Sequence, residues 1–124
     1  MIFRMTILIA EDDDFAVLML KKMLRNLASE IIVAKNGHEA VEKFRLRPDI
    51  QLVLMDILMP EMDGYEATRN IREQNKHVVI IVQTALVQPS DREKAFNAGC
   101  TDFINKPLNR DTLTRLIRNH INQD

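Results

Sequence analysis

The chain has 124 residues and a formal net charge of −1, with 46% hydrophobic and 28% charged residues. These values are typical of a soluble globular domain, and the nearly neutral charge gives no electrostatic basis for binding nucleic acid or an anionic membrane. No apolar stretch approaches the ~20 residues that a membrane-spanning helix needs, and the N-terminus lacks a signal-peptide pattern. We therefore expect one cytoplasmic domain over residues 1–124, an expectation that also fits a domain of a larger, membrane-anchored parent protein.

Five short apolar runs alternate with amphipathic segments along the whole chain. The runs are continuous and rich in valine and isoleucine, which is typical of parallel strands covered on both faces. In chain order they are Met5–Ala10, Ile31–Ala34, Leu52–Met55, Val78–Val82 and Phe103–Ile104 with its flanks. The alternation predicts an α/β fold, a doubly wound (βα)5 arrangement around a five-stranded parallel sheet.

The segments between the runs have helical spacing, and several carry signals for the start of a helix. The first helix is expected to bury Val17, Leu20, Leu24 and Leu27, and the last to bury Leu113, Leu116, Ile117 and Ile121. A capping side chain three residues before a glutamate predicts a helix N-terminus. This pattern occurs at Asn36-x-x-Glu39, Asp63-x-x-Glu66 and Ser90-x-x-Glu93. We also expect Asp13 or Asp14 to cap the first helix and Asn109 to cap the last.

Chemically complementary residues follow four of the predicted strands. Glu11 and Asp12 follow the first strand, Asp56 the third, Thr84 the fourth and Lys106 the fifth. Because the carboxyl ends of parallel strands gather at one edge of a sheet, we expect these side chains to meet. The three carboxylates would repel one another and require a cation, and oxygen ligands without thiolate or clustered imidazole favour Mg²⁺ or Mn²⁺.

A carboxylate in such a site can itself act as a nucleophile and become an aspartyl phosphate. The protein then supplies positioning and charge neutralisation. Taken singly, an acidic cluster is typical of a solvated helix cap, Thr84 of a turn and Lys106 of a surface charge. The combination at four strand ends favours a functional site.

These residues resemble the motifs of receiver domains of two-component signalling. The resemblance rests on Glu11-Asp12, the segment 55–64, Thr84-Ala85 and Lys106-Pro107, in the order and spacing of that family. It covers essentially the whole chain and implies a flavodoxin-like sheet with strand order 2-1-3-4-5.

The resemblance also implies roles for the acidic residues. Asp56 is expected to accept a phosphoryl group from the phosphohistidine of a histidine kinase or of a histidine phosphotransfer protein. Glu11, Asp12 and Asp56 are expected to hold Mg²⁺ together with the backbone carbonyl of Leu58. We expect no turnover enzyme, only autocatalytic phosphotransfer and autodephosphorylation.

Further roles follow from the same resemblance. Thr84, Ala85 and Lys106 are expected to bind the phosphoryl group, Pro107 to follow a cis peptide bond, and Phe103 to turn inward on activation. The surface formed by the fourth helix, fifth strand and fifth helix is expected to change on phosphorylation, and it is a possible dimer interface. Without a basic stripe, we expect output through protein contacts or onward phosphotransfer, with no nucleic acid and no direct membrane contact.

Smaller interpretations concern individual residues. Gly64 is expected to let the start of a helix approach Met62 closely. Leu58 and Leu86, two residues past Asp56 and Thr84, offer an attacking water no hydrogen bond, which predicts slow loss of the phosphoryl group. The histidines, His38, His77 and His120, are scattered and interpreted as surface residues.

The parent protein and the class of the chain have alternatives. The segments 62–72 and 91–100 look most like receivers of hybrid histidine kinases, and a free-standing single-domain response regulator is the alternative. An aspartate-nucleophile phosphatase of the haloacid dehalogenase type would use the Asp-x-Asp spacing within residues 11–14 but would leave Asp56 and Lys106 without a role. A flavodoxin-like FMN binder would need a Ser/Thr-rich phosphate loop where this chain has acids that repel phosphate.

Overall fold

The computed structural model describes residues 4–85 and 88–121. In chain order its elements are β1 (Met5–Ala10), α1 (Asp14–Leu24), β2 (Ala28–Ala34), α2 (Gly37–Leu46), β3 (Leu52–Asp56), α3 (Gly64–Gln74), β4 (Val79–Thr84), α4 (Pro89–Ala98), β5 (Asp102–Asn105) and α5 (Arg110–Ile121). The strands form one parallel sheet in the order β2-β1-β3-β4-β5. The predicted α/β fold and its strand order are confirmed. In the two described segments, no helix has both the length and the apolar character needed to span a membrane.

Both faces of the sheet are covered, and each face has its own apolar core. The core under α2, α3 and α4 includes Phe44, Ile71 and Ala95. The core under α1 and α5 includes Leu20 and Ile117. Burying a large apolar side chain of this kind stabilises the fold by roughly 1.5–3 kcal/mol. Burial on both faces explains why the strand sequences are continuously apolar rather than alternating.

Side chains cap four of the helices as predicted. The capping oxygens accept backbone N–H groups one turn into each helix, which would otherwise have no partner. Asp13 accepts from Phe15 at 3.1 Å, Asn36 from Glu39 at 2.8 Å, Asp63 from Glu66 at 3.0 Å and Asn109 from Thr112 at 3.1 Å. These caps therefore fix the direction of the chain after the strands β1, β2, β3 and β5. Three of these strands, β1, β3 and β5, end beside the acidic residues.

Two local predictions are wrong. Ser90 does not cap α4, because the helix already begins at Pro89 and Gln88 occupies the N-cap position without a side-chain hydrogen bond. Proline is favoured at the first helical position because its fixed φ suits a helix and its missing N–H is not needed there. Leu27 lies in a turn beyond the end of α1 and not on its face, although it is still buried, and its N–H donates to the carbonyl of Leu24 at 2.9 Å.

Candidate functional site

Three carboxylates meet where β1 and β3 end. Glu11, Asp12 and Asp56 each offer an oxygen, and these oxygens lie within 4.8 Å of one another. The two strands are neighbours in the sheet, so the residues that follow them emerge side by side. Glu11 and Asp56 are only 1% and 5% exposed, whereas Asp12 is exposed. This set of oxygen donors fits a hard divalent cation such as Mg²⁺, which commonly keeps several waters beside one or two carboxylates.

Lys106 brings a positive charge to the same cluster from the end of β5. Its Nζ lies 2.8 Å from Glu11 Oε1 and 3.5 Å from Asp56 Oδ2. Its backbone N–H donates to the carbonyl of Thr84 at 2.8 Å, which fixes the end of β5 beside the end of β4. Burial on its own would lower the pKa of Lys106, but the hydrogen bond to Glu11 and the charge of Asp56 outweigh burial and raise that pKa. The lysine is therefore a fixed cation facing the acids.

The surroundings of Asp56 disfavour its charged form. Burial raises the pKa of Asp56 to about 7, the negative charge of Glu11 acts in the same direction, and Lys106 opposes both. One ammonium group thus fails to neutralise the cluster. A divalent cation at the three carboxylates would relieve the same repulsion that a proton relieves.

Gly64 holds the start of α3 against the end of β3. Its N–H donates to the carbonyl of Ile57 at 3.0 Å, and a Cβ at this position would lie 2.2 Å from the carbonyl oxygen of Asp56. The close approach is therefore to the Asp56 backbone, and the expected approach to Met62 is wrong. Gly37 makes room for Met62, since a Cβ on Gly37 would lie 2.3 Å from the Met62 carbonyl oxygen.

The remaining predicted site residues surround this cluster. Thr84 is fully buried as the last residue of β4, and Ala85 is exposed directly after it. Leu58 is 56% exposed two residues past Asp56. The peptide bond between Lys106 and Pro107 is cis. Leu86 lies outside the described residues.

Phe103 lies inside the protein rather than on its surface. It is 9% exposed and belongs to the core under α2, α3 and α4. The guanidinium of Arg92 on α4 lies 5.9 Å from the centre of the Phe103 ring and 5.1 Å from that of Phe96. The aromatic ring thus occupies an inward position, covered from outside by an arginine.

Three features escaped sequence reasoning. His120 is half-buried and its Nε2 lies 2.9 Å from Asp102 Oδ2, so the interpretation of His120 as a surface residue is wrong. The side chain of Gln83 is buried in β4. On α1, Phe15, Leu18 and Met19 are 67%, 50% and 37% exposed, and we call these residues the α1 patch. Only the α1 patch had a sequence signal, because apolar residues at i, i+3 and i+4 mark a second apolar stripe on the helix.

Curated relatives place the chain among signalling proteins. The family model of the response regulator receiver domain matches residues 7–118 of the chain. The chain is 38% identical to hybrid signal transduction histidine kinase B from Dictyostelium discoideum over 94% of its own length, but spans only 7% of that protein. It is 40% identical to the chemotaxis protein CheY from Bacillus subtilis, covering 94% of this chain and 97% of that one.

Solved structures give the same result. The receiver domain of a sensor histidine kinase from Pseudomonas aeruginosa, with a magnesium ion coordinated in its active site cleft, is 34% identical with a TM-score of 0.87, covering 97% of this chain and 99% of that one. A receiver domain from Saccharomyces cerevisiae, in complex with a histidine phosphotransfer signalling protein, is 30% identical with a TM-score of 0.87, covering 97% and 90%. The chain belongs to the family of response regulator receiver domains.

Proposed function

We propose that this chain is the phosphoacceptor of a two-component or phosphorelay system and that Asp56 is the phosphorylated residue. The observation that carries the proposal is the position of Asp56, buried between Glu11, Asp12 and Lys106 at the end of β3. In the transfer, an Asp56 carboxylate oxygen forms a bond to phosphorus while the bond from phosphorus to the donor histidine nitrogen breaks. The chain is not a turnover enzyme by itself, because its product is its own phosphorylated form.

The surrounding residues supply positioning and charge. Glu11, Asp12, Asp56 and the backbone carbonyl of Leu58 would hold Mg²⁺ or Mn²⁺, which when bound offsets the negative charge of the phosphoryl oxygens. Support comes from the oxygen-only donor set and from the magnesium ion in the similar Pseudomonas aeruginosa domain. Lys106 binds the phosphoryl group as the nearby cation.

Thr84, Ala85 and Phe103 complete the proposed response to phosphorylation. The Thr84 hydroxyl and the Ala85 backbone at the end of β4 contact the phosphoryl oxygens. Phe103 then changes its packing together with the surface of α4, β5 and α5, which passes the signal on and is a possible dimer interface. A small free-energy difference between two packings suffices for such a change.

Incubation with acetyl phosphate and Mg²⁺ tests the phosphoacceptor directly. Mass spectrometry should show one added phosphoryl group, and fragmentation should place it at Asp56. Asp56→Asn should abolish the label, and Asp12→Asn should reduce the labelling that Mg²⁺ supports, whereas Asp111→Asn, an exposed acid on α5, should leave the labelling unchanged. A label that persists in Asp56→Asn, or that forms equally without a divalent cation, would sink the proposal. Turnover of a generic aryl phosphate would instead support the phosphatase alternative.

The donor is proposed to be a histidine kinase or a histidine phosphotransfer protein that docks on the α1 patch. This patch adjoins the acidic residues through Asp13, and exposed contiguous apolar side chains commonly mark a protein interface. The similar domain from Saccharomyces cerevisiae was solved with a partner of this kind.

We predict that Leu18→Asp slows transfer from a phosphorylated donor protein by about tenfold or more, since it places a charge in an apolar contact. Phosphorylation by acetyl phosphate should be unchanged, because that small donor needs no docking surface. Leu46→Asp is the matched control, since Leu46 is 63% exposed on α2. Equal slowing by both variants would argue against docking on α1.

We also predict that the phosphoryl group is lost slowly. Leu58 is apolar and 56% exposed beside Asp56, so it gives an attacking water no hydrogen bond. Leu58→Asn should therefore shorten the half-life of the phosphorylated chain by several-fold, as followed by decay of the mass label. Rapid loss from the native chain, within seconds, would contradict this.

The parent protein is proposed to be a hybrid histidine kinase, in which residues 1–124 form one receiver domain. The match to a Dictyostelium discoideum hybrid kinase supports this, and the nearly complete coverage of CheY keeps the free-standing response regulator as the alternative. We propose a cytoplasmic location for the domain in either case. A kinase sequence in the same reading frame would decide between them.

A further inference from the structure

A pocket of ≈ 320 Å³ lies between α1 and the loop that follows β5. Its walls are mostly apolar, with Met19, Met23 and Leu108 among them. Two charged side chains also line it, and both are engaged elsewhere: Asp13 accepts the N–H of Phe15 at 3.1 Å, and Lys106 pairs with Glu11 at 2.8 Å. The charges of the pocket are therefore already partnered.

Gln83 is the polar residue of this pocket that has no partner. Its side chain is 1% exposed, and among residues 4–85 and 88–121 neither Oε1 nor Nε2 has a hydrogen-bond partner. It lies on the face of the sheet that α1 and α5 cover, because Ile81, two residues earlier in β4, packs in that core. A buried amide that makes no hydrogen bond destabilises the folded protein, so its presence calls for a group that pairs with it.

We propose that this pocket, the Gln83 pocket, binds an uncharged and mostly apolar molecule that carries a hydrogen-bond donor beside an acceptor, such as an aryl carboxamide or a lactam. The amide of Gln83 offers a matching acceptor and donor, and the engaged charges favour a neutral ligand. The volume is at the lower end of the range for small-molecule sites, and apolar walls with one orienting polar group are their usual composition. The inference rests on the pocket and on Gln83, independently of the phosphoacceptor role.

The test compares two probes of similar shape on the full chain by NMR. Benzamide carries both a donor and an acceptor, whereas acetophenone carries only the acceptor. Benzamide should shift the side-chain amide signals of Gln83 and the methyl signals of Met19 and Met23, and should bind about fivefold more tightly than acetophenone. Benzamide that leaves these signals unchanged would overturn the proposal.

Two variants test the contribution of the Gln83 amide and that of the pocket volume separately. Gln83→Leu keeps the side-chain size and should bind both probes with equal affinity, while Ala16→Phe should fill the pocket and abolish the binding of both with Gln83 intact. If Gln83→Leu fails to fold, Ala16→Phe still decides the location. A preference for benzamide that survives in Gln83→Leu would overturn the proposal, as would a Gln83 amide that contacts only a long-lived buried water that no probe displaces.

Discussion

At the scale of single residues, Asp56 is held where its charged form is disfavoured. Its pKa of about 7 in the folded chain lies well above the ordinary value of 3.8. The folded state therefore binds a proton more tightly than the unfolded state does. By linkage, this contribution to stability is present at low pH and is lost as pH rises through the folded pKa. In metal-free solution near neutral pH, the proposed phosphoacceptor thus weakens the fold that holds it.

Asp56→Asn should consequently raise the melting temperature in metal-free buffer at about pH 8 by several degrees, because it removes one of three crowded carboxylates. The difference in melting temperature between Asp56→Asn and the native chain should shrink toward about pH 5, where the native Asp56 carries a proton. Thermal unfolding at several pH values checks this, with Glu73→Gln on the exposed surface of α3 as the control. A lower melting temperature for Asp56→Asn at the higher pH would contradict it.

The positions of the acids were predictable because a strand that ends abruptly in a charge can be seen in the sequence. The close approach of Gly64 to a neighbouring backbone and the burial of Gln83 were not predictable. Gly64 meets the backbone of Asp56, and the burial of Gln83 depends on α1 folding across the sheet. Both features depend on how the elements pack against one another, and no local pattern encodes that packing.

At the scale of elements, α4 begins with fewer restraints than the capped helices. Gln88 gives its N-terminus no side-chain hydrogen bond, and the Tyr65 hydroxyl lies at a long 3.3 Å from both the carbonyl and the side-chain Oδ1 of Asp91. Arg92 adds contacts to aromatic rings. A weakly restrained helix can shift at low free-energy cost, which supports its place in the proposed switching surface.

Gln88→Ser should stabilise the chain by about 1 kcal/mol, because a serine hydroxyl at the N-cap can accept a backbone N–H of the first turn. Urea unfolding measures the change. Gln88→Ala removes the same side chain without supplying a cap, so it should give no gain. Equal stability of the two variants would show that this helix start cannot use a cap.

The failed prediction at Ser90 has a related cause. Two helix-start signals lie next to each other here, a proline and a capping pattern, and the structure follows Pro89. The patterns at Asn36 and Asp63 have no such competitor and were predicted correctly. In this chain, the two capping patterns without a neighbouring proline were thus confirmed.

At the scale of the whole molecule, the parallel sheet gathers residues 11, 56, 84 and 106 at one edge. The alternation of strands and helices was sufficient to predict this gathering. The strand order was not contained in that alternation and came from the resemblance to receiver domains. The two separate cores keep both faces of the sheet fixed while the edge remains available for chemistry.

Mg²⁺ should raise the melting temperature of the chain, because an ion that binds only the folded state stabilises that state. At a hundredfold excess over the dissociation constant, the free energy of unfolding rises by about 2.7 kcal/mol. Asp12→Asn should reduce the effect, and Asp111→Asn should leave it intact. Calorimetry with and without EDTA provides the measurement. An equal response of all three chains would place the ion elsewhere.

The contact between Lys106 and Glu11 affects how tightly the site would bind a cation and a phosphoryl group. The lysine cannot give its full charge to a phosphoryl group while it pairs with Glu11 at 2.8 Å, so the glutamate acts as an internal competitor. An ion bound to Glu11 would weaken that competition and free the ammonium. Cation binding and the proposed phosphoryl binding would then be positively linked through Glu11, and each would be tighter in the presence of the other.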